Sequence, residues 1–210
     1  QRAATATASE GEVDLIYANP FDASMLVREK GFLPIAKPIT KTDEAVIATH
    51  FDHAAQCVED LQPGTRIAST DDPDVHMMCA IMLEPAELNA ENTQRRIKDS
   101  YPLVAKDVIR GDADVGFFLQ EAYNDLAGIT RKQLRPLVSS QIHIIHHALM
   151  AGPKLVEKRE EIRTHLLDMP NTEKGPGVLE SLGFQGWESI DDEDMEFMID
   201  LMETLTWQLD

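Results

Sequence analysis

The chain has 210 residues, enough for one large domain or two smaller lobes, and 43% of them are hydrophobic, enough to bury a core. Its 37 Asp and Glu residues outnumber its 19 Lys and Arg residues, which gives a net charge of −18 at pH 7. This balance excludes the basic surface that nucleic-acid binding requires, and it disfavours binding to an anionic membrane surface.

In the first half of the chain, short apolar runs alternate with helical patterns. Turn-forming residues such as Gly31 and Gly64 separate these segments, and Pro73 stands where a helix accepts proline best, at its first position. We predict strands at residues 13–17, 32–36, 44–49 and 66–69, and helices at residues 23–29 and 73–83.

The alternation continues in the second half, where we predict helices at residues 102–110 and 120–126 and strands at residues 113–118, 134–139 and 142–149. Three helices follow. The first has Leu155, Ile162 and Leu166 on one face, and the second spans residues 177–182. In the last, the apolar residues at helical spacing are Met195, Met198, Ile199, Met202 and Leu205. We interpret these methionines as core residues, not as metal ligands.

Strands that alternate with helices predict βαβ units, and hence an α/β fold with mainly parallel sheets flanked by helices. In such folds, ligands bind beyond the carboxyl ends of the strands. The sequence contains no G-x-S-x-G, H-E-x-x-H, P-loop or G-x-G-x-x-G motif. We therefore expect no cofactor and no catalysed reaction.

No stretch of the sequence approaches the roughly 20 apolar residues that cross a bilayer, so we expect no membrane insertion. The first residues show no apolar segment of a signal peptide, which leaves either a cytoplasmic protein or one whose export signal has been removed. Cys57 and Cys79 fit either compartment, as a disulfide or as two free thiols.

Four segments, taken in order, resemble the type 2 periplasmic solute-binding proteins. Residues 11–15 resemble the G-x-V-D strand of that family, and residues 60–68 resemble its D-L-x-G-K-x-I/V-A element. Residues 108–116 resemble the V-x-x-G-x-x-D step from helix to strand. Residues 179–187 are similar to the L-x-x-L-G-F-x-G-F signature, which indicates the phosphate, phosphite and phosphonate-binding branch of the ABC transporter proteins.

The resemblance implies a two-lobed clamp in which lobe one comprises residues 1–47 and 140–210 and lobe two comprises residues 48–139. Crossing segments near residues 45–49 and 136–143 would join the lobes. Family members begin with a strand, a helix and a second strand that have no counterpart here, so we expect a first lobe that is incomplete at its N-terminus. The implied function is the periplasmic capture of a small solute, a phosphonate or another oxyanion, for the permease of an ABC importer.

The anion-binding motif of the family is altered in this chain. The family sequence D-P-x-S-T-S-G presents hydroxyls and backbone amides at a helix N-terminus, a natural anion site. Here residues 72–78 read D-P-D-V-H-M-M, which keeps Asp72 and Pro73 but none of the hydroxyls. Backbone donors and the helix dipole would remain for an anion. Asp71, Asp72 and Asp74 either cap the helix or contact a cationic ligand.

The resemblance also implies which residues contact the ligand. Tyr101 falls where the family has a pocket histidine, Glu121 matches a glutamate that pairs with a substrate amine, and His146 falls near a second pocket carboxylate. The predicted ligand-binding residues are Tyr17, Asn19 and Phe21 from lobe one, Thr70, Asp72, His76, Tyr101 and Glu121 from lobe two, and His143 and His146 near the crossing segments.

Three alternatives remain open at the sequence level. His76, Cys79 and His146 are candidate ligands for copper or zinc, although packing of Met77, Met78 and Cys79 in the core explains the same residues. If residues 142–147 form a strand, His143 and His147 lie on one face and His146 on the other. The same clamp would serve a ligand sensor that reports to a membrane kinase or cyclase, because closure suits either role. A truncated lobe that binds nothing is the third alternative.

Overall fold

The computed structural model of the chain describes residues 13–207. Gly11, which opens the first of the family-like segments, and the side chain of Leu205 lie outside what it describes. The chain divides into two compact units. Unit 1 comprises residues 13–42 and Ile144–Thr204, and unit 2 comprises Asp43–His143. The boundaries therefore lie after residues 42 and 143, several residues from those implied by the resemblance.

The elements follow one another in this order. The strands are β1 (Leu15–Ala18), β2 (Leu33–Pro38), β3 (Ala45–His50), β4 (Arg66–Ser69), β5 (Gln94–Ile97), β6 (Val115–Leu119), β7 (Leu134–Ser139), β8 (Ala148–Ala151) and β9 (Trp187–Ser189). The helices are α1 (Pro20–Lys30), α2 (Pro73–Met82), α3 (Tyr101–Arg110), α4 (Gln120–Asn124), α5 (Gly128–Arg131), α6 (Arg159–Leu167), α7 (Gly175–Leu182) and α8 (Asp192–Trp207). Short 3₁₀ helices lie at Val58–Asp60, Glu84–Ala86, Pro153–Lys158 and Met169–Asn171.

Unit 1 is built on a four-stranded sheet in the order β1-β8-β2-β9. One core cluster joins residues of β1, α1, β8 and α8, and it includes Leu26, Met195 and Met198. A second cluster contains Ile35, Leu179 and Trp187, with α6 and α7 residues packed against it. Met195, Met198 and Met202 are buried, which confirms that the methionines of the last helix are core residues.

Unit 2 is built on a five-stranded sheet in the order β5-β4-β6-β3-β7. Strand β4 pairs in parallel with β5 and with β6, whereas β3 pairs antiparallel with β6 and β7. Its main core cluster includes Val104 and Val108 from α3, Phe118 from β6 and Tyr123 from α4. Met77, Met78 and Cys79 on α2 are also buried.

The prediction of mainly parallel sheets is wrong. In unit 1 every described pairing is antiparallel, and in unit 2 only the two pairs that β4 makes are parallel. The reason lies in the path of the chain. Strand β8 belongs to the segment that returns from unit 2, and it enters the sheet between β1 and β2 in the opposite direction to both.

Residues 142–147 do not form a strand, so the predicted strand at 142–149 is also wrong; β8 begins only at Ala148. The amides of Ile142 and His143 instead donate to the Glu44 carboxylate, at 3.1 and 2.7 Å. His143 has φ 58°, in the left-handed region that interrupts extended backbone. The alternation that would have placed His143 and His147 on one face therefore does not exist.

Cys57 is exposed, Cys79 is buried, and both are free thiols. Among residues 13–207, no helix combines the length and apolar character that a membrane span needs.

Candidate functional site

The carboxyl ends of three strands meet at one edge of the unit 2 sheet, because β4 runs parallel to both β5 and β6. Thr70 follows β4 directly, Tyr101 opens α3 after β5, and Glu121 lies in the first turn of α4 after β6. Loops that follow parallel strands collect at the same edge, where open α/β sheets bind ligands. Three of the predicted ligand residues therefore share this edge.

Asp72 occupies the N-terminus of α2. Its Oδ1 accepts the Val75 backbone N–H at 3.4 Å, and its Oδ2 accepts the Tyr101 hydroxyl at 3.1 Å. Burial, together with the Asp72 charge, raises the pKa of Tyr101 above its ordinary value, so the hydroxyl stays protonated and donates. The Asp that this chain shares with the family motif therefore caps α2, and its second carboxylate oxygen is occupied by the Tyr101 hydroxyl.

Two buried polar atoms at this edge have no hydrogen-bond partner among the described residues: Thr70 Oγ1 and His76 Nδ1. The Thr70 side chain is near enough to the Tyr101 hydroxyl to lower the Tyr101 pKa slightly, against the larger effect of burial. The His76 ring stacks against Phe117, with 6.2 Å between the ring centroids and 27° between the planes. Buried side-chain polar atoms are bonded in the large majority of cases, so these two stand out.

His76 is a neutral imidazole over most of the pH range. Burial, aided by the positive charge of Arg95, lowers its pKa from 6.5 to about 4. The histidine is therefore a neutral donor or acceptor, depending on its tautomer, and supplies no positive charge to an anion at neutral pH.

We expect the His76 imidazole to stay neutral in NMR titrations until the pH falls to about 4. Because folding lowers this pKa from 6.5, the unfolded chain takes up the proton first, and the stabilising contribution is lost as the pH falls from 6.5 towards 4. Urea denaturation at pH 7 and pH 5 should show a smaller acid-induced loss for His76→Gln than for the wild type. A His76 resonance that titrates near pH 6.5 in the folded chain would contradict this.

Arg95 is the residue at this edge that the sequence interpretation missed. Its Nε donates to Ser69 Oγ at 2.7 Å, and its Nη2 donates to the Thr70 carbonyl at 3.0 Å. The side chain is half-buried, whereas that of the next residue, Arg96, is exposed. Burial lowers the pKa of Arg95, but an arginine starts so far above neutrality that it stays charged. Two adjacent arginines are unusual in so acidic a chain, and this pair could have marked Arg95 as a candidate site residue from sequence.

In unit 1, Tyr17 belongs to an aromatic cluster. Its ring stacks on that of His147 at 5.2 Å and contacts Phe184 and Trp187 at 5.7 and 6.0 Å, measured between centroids. The Trp187 Nε1 is buried and has no hydrogen-bond partner among the described residues. Lys41 Nζ lies 5.4 Å from the centre of the Phe184 ring. This cluster brings together four aromatic rings, most of them tilted or edge-to-face, and a buried indole donor.

Asn19 and Phe21 lie where β1 passes into α1. The Asn19 side chain caps the helix, since its Oδ1 accepts the Asp22 N–H at 2.7 Å. Phe21 is 42% exposed, a large value for a phenylalanine in the first turn of a helix. Both residues stand beyond the carboxyl end of β1, as predicted from sequence.

His143 and His146 have different surroundings. The His143 side chain is 72% exposed and its Nδ1 lies 3.4 Å from Glu44 Oε1. His146 is only 3% exposed, and its Nδ1 lies 3.2 Å from the His147 carbonyl oxygen. Because that oxygen can only accept, the His146 Nδ1 carries the proton in this contact.

A family model for the periplasmic phosphonate-binding proteins of ABC transporters matches residues 1–195. The chain belongs to this family. Its sequence matches none of the curated proteins.

Several solved structures resemble the chain in fold. XAC2383 from Xanthomonas citri, bound to ATP, has a TM-score of 0.80 at 14% identity, over 100% of this chain and 84% of that one. PhnD1 from Prochlorococcus marinus, in complex with methylphosphonate, has a TM-score of 0.78 at 12% identity, and the match covers 97% of this chain and 82% of PhnD1. The aliphatic sulphonate-binding protein SsuA from Escherichia coli has a TM-score of 0.62 at 14% identity, over 94% and 72%. At these identities, the likeness shows the fold.

Membership of the phosphonate-binding family confirms the family predicted from the four sequence segments, and with it the α/β binding-protein fold. The family is one of periplasmic proteins that bind solutes for ABC transporters. None of these findings supports the sensor alternative.

The structure also gives no support to the alternative that His76, Cys79 and His146 bind copper or zinc. Within residues 13–207, no three His, Cys, Asp or Glu side chains come together in a group that would hold a metal ion. Cys79 is completely buried, and burial raises its thiol pKa well above the ordinary value, so it stays a thiol and not the thiolate that metals bind.

Proposed function

We propose that the chain captures a small oxyanion-bearing solute, a phosphonate or a close chemical relative, in the periplasm and delivers it to the permease of an ABC importer. No reaction follows capture. The observation that carries this proposal is the pair of buried, unpartnered polar atoms, Thr70 Oγ1 and His76 Nδ1, at the carboxyl edge of the unit 2 sheet. Polar atoms left in this state at such an edge are the groups that a bound ligand satisfies.

The charges near this edge favour a ligand that also carries an amine. Asp71 follows β4 closely, Asp72 caps α2 and Glu121 lies in the first turn of α4, so three carboxylates come from the segments that follow β4 and β6. Carboxylates at these positions would attract the ammonium group of an aminoalkylphosphonate. We assign the amine to Glu121, which is exposed at the start of α4.

The remaining residue assignments follow from the surroundings of each side chain. In unit 2 we propose that Thr70 and His76 contact the oxyanion, and that Asp72 and Tyr101, which are hydrogen-bonded to each other, line the same edge of the pocket. In unit 1, Tyr17 near the carboxyl end of β1, and Asn19 and Phe21 just beyond that end, stay predicted ligand contacts. His143 and His146 also stay predictions.

Isothermal titration calorimetry tests the proposal. We expect 2-aminoethylphosphonate to bind about tenfold more tightly than methylphosphonate, the factor that one additional partly shielded ion pair supplies. Glu121→Gln should abolish that preference and leave methylphosphonate binding unchanged. Glu91→Gln, at an exposed position of the same unit, is the matched control and should keep the preference. The absence of binding by every phosphonate, phosphate and sulfonate tested would refute the proposal.

A further inference from the structure

We infer that Arg95 binds the oxyanion head of the ligand, so that the anion subsite lies on the β5 side of the carboxyl edge and not at the N-terminus of α2. This inference rests on the proposed capture of an oxyanion and names the residue that recognises it. Three structural observations carry it.

The first observation is that the N-terminus of α2 already holds a negative charge. The Asp72 carboxylate accepts the Val75 N–H and the Tyr101 hydroxyl, so the helix donor and the nearest hydroxyl are both in use. Without the hydroxyls of the family motif, an anion at this helix end would meet only backbone donors, and it would lie next to the Asp72 carboxylate. The helix end of this chain therefore offers an oxyanion fewer donors than the family motif does.

The second observation is the way in which Arg95 is held. Hydrogen bonds from Nε to Ser69 Oγ and from Nη2 to the Thr70 carbonyl fix the guanidinium against the end of β4. Neither of these bonds uses Nη1. A guanidinium that is oriented in advance loses little side-chain entropy when it binds an oxyanion, and its fork matches two oxygens of such a group.

The third observation is that the unpartnered polar atoms lie on the same side as Arg95. Thr70 accepts the Arg95 hydrogen bond at its carbonyl, while its own hydroxyl oxygen is the buried atom without a partner. The His76 ring is near enough for the Arg95 charge to act on it, and its Nδ1 is the other such atom. A tetrahedral oxyanion has enough oxygens to accept from Arg95, Thr70 and the neutral His76 together.

Calorimetry with methylphosphonate and methanesulfonate on matched variants tests the inference. We expect Arg95→Gln to weaken binding of the better ligand by about 10- to 100-fold, the usual range for losing charge-assisted hydrogen bonds. Arg95→Lys should lose less, because the charge remains but the fork does not. Arg96→Gln removes the same charge from the exposed neighbour on the same strand and should bind within about twofold of the wild type.

A second measurement on the wild-type chain keeps the test valid if Arg95→Gln does not fold. The NMR resonance of the Arg95 Nε–H should shift on addition of methylphosphonate, while that of Arg96 should not. The inference would be overturned, but not the proposed function, if the Arg95 and Arg96 variants weakened ligand binding equally. An Arg95 resonance that does not shift in a chain that binds the ligand would have the same consequence. A wild-type chain that binds neither probe would overturn the proposed function and, with it, this inference.

Discussion

Replacing Glu44 with alanine is expected to lower the free energy of unfolding by about 3 kcal/mol, because it leaves several inward-facing donors without an acceptor. The Glu44 carboxylate is 8% exposed and accepts hydrogen bonds from the Ser140 hydroxyl and from the Ile142 and His143 amides. It thus joins the start of unit 2, before β3, to the end of unit 2, after β7. Urea denaturation followed by far-ultraviolet circular dichroism measures the loss.

Two variants separate the loss of these hydrogen bonds from the loss of a side chain. Glu44→Gln keeps the volume and one acceptor oxygen, and should cost about 1 kcal/mol. Glu91→Ala removes an exposed glutamate from the same unit and should change the free energy of unfolding by less than about 0.5 kcal/mol. If Glu44→Ala and Glu91→Ala are equally stable, the carboxylate does not hold the two segments together.

Replacing Phe118 with alanine is expected to lower the free energy of unfolding by about 3–5 kcal/mol, the range for truncating a large aromatic side chain in a packed core. Phe118 is completely buried in β6, with its ring 6.1 Å from that of Tyr101 and 5.4 Å from that of Tyr123. Because Tyr101 rests on this ring, the variant should also weaken phosphonate binding in calorimetry, measured at a temperature where it remains folded.

The control for Phe118 is Phe51→Ala. Phe51 is 47% exposed and stacks on His50, with a centroid separation of 4.7 Å, so little apolar surface returns to water when it is truncated. We expect a change below about 1 kcal/mol and unaltered ligand binding. A Phe118→Ala chain as stable as Phe51→Ala would show that β6 is not packed as described.

Features governed by neighbouring residues could be predicted from the sequence. The helices end at Gly31, Gly111 and Gly183 because each adopts a left-handed conformation that glycine accepts without strain, with φ of 68°, 74° and 68°. Helix α2 begins at Pro73 after the capping residue Asp72, as the local pattern indicated. Each of these features depends on a few adjacent residues, and such signals are legible in a single sequence.

Features that depend on residues far apart in the chain could not be predicted from the sequence. Strand β5 reads Q-R-R-I, without apolar alternation, and is a strand because it pairs with β4 at the edge of the sheet. The prediction of a strand at residues 142–149 was wrong because the Ile142 and His143 amides donate hydrogen bonds to Glu44, about 100 positions earlier in the chain. In a strand, these amides would have donated to a neighbouring strand. Strand direction in unit 1 likewise depends on a segment that returns after the whole of unit 2.

The sequence by itself determined the family, through its ordered motifs, and the loss of the hydroxyls from the anion-binding motif after Asp72. Only the tertiary structure decides which hydrogen-bond donors at this edge are already bonded within the protein. The Tyr101 hydroxyl is 29 positions from the Asp72 that accepts it, and Arg95 is 26 positions from the serine that orients it. Hydrogen bonds over such separations exist only after β4, β5 and β6 have aligned, because that alignment brings the carboxyl ends of the three strands to one edge.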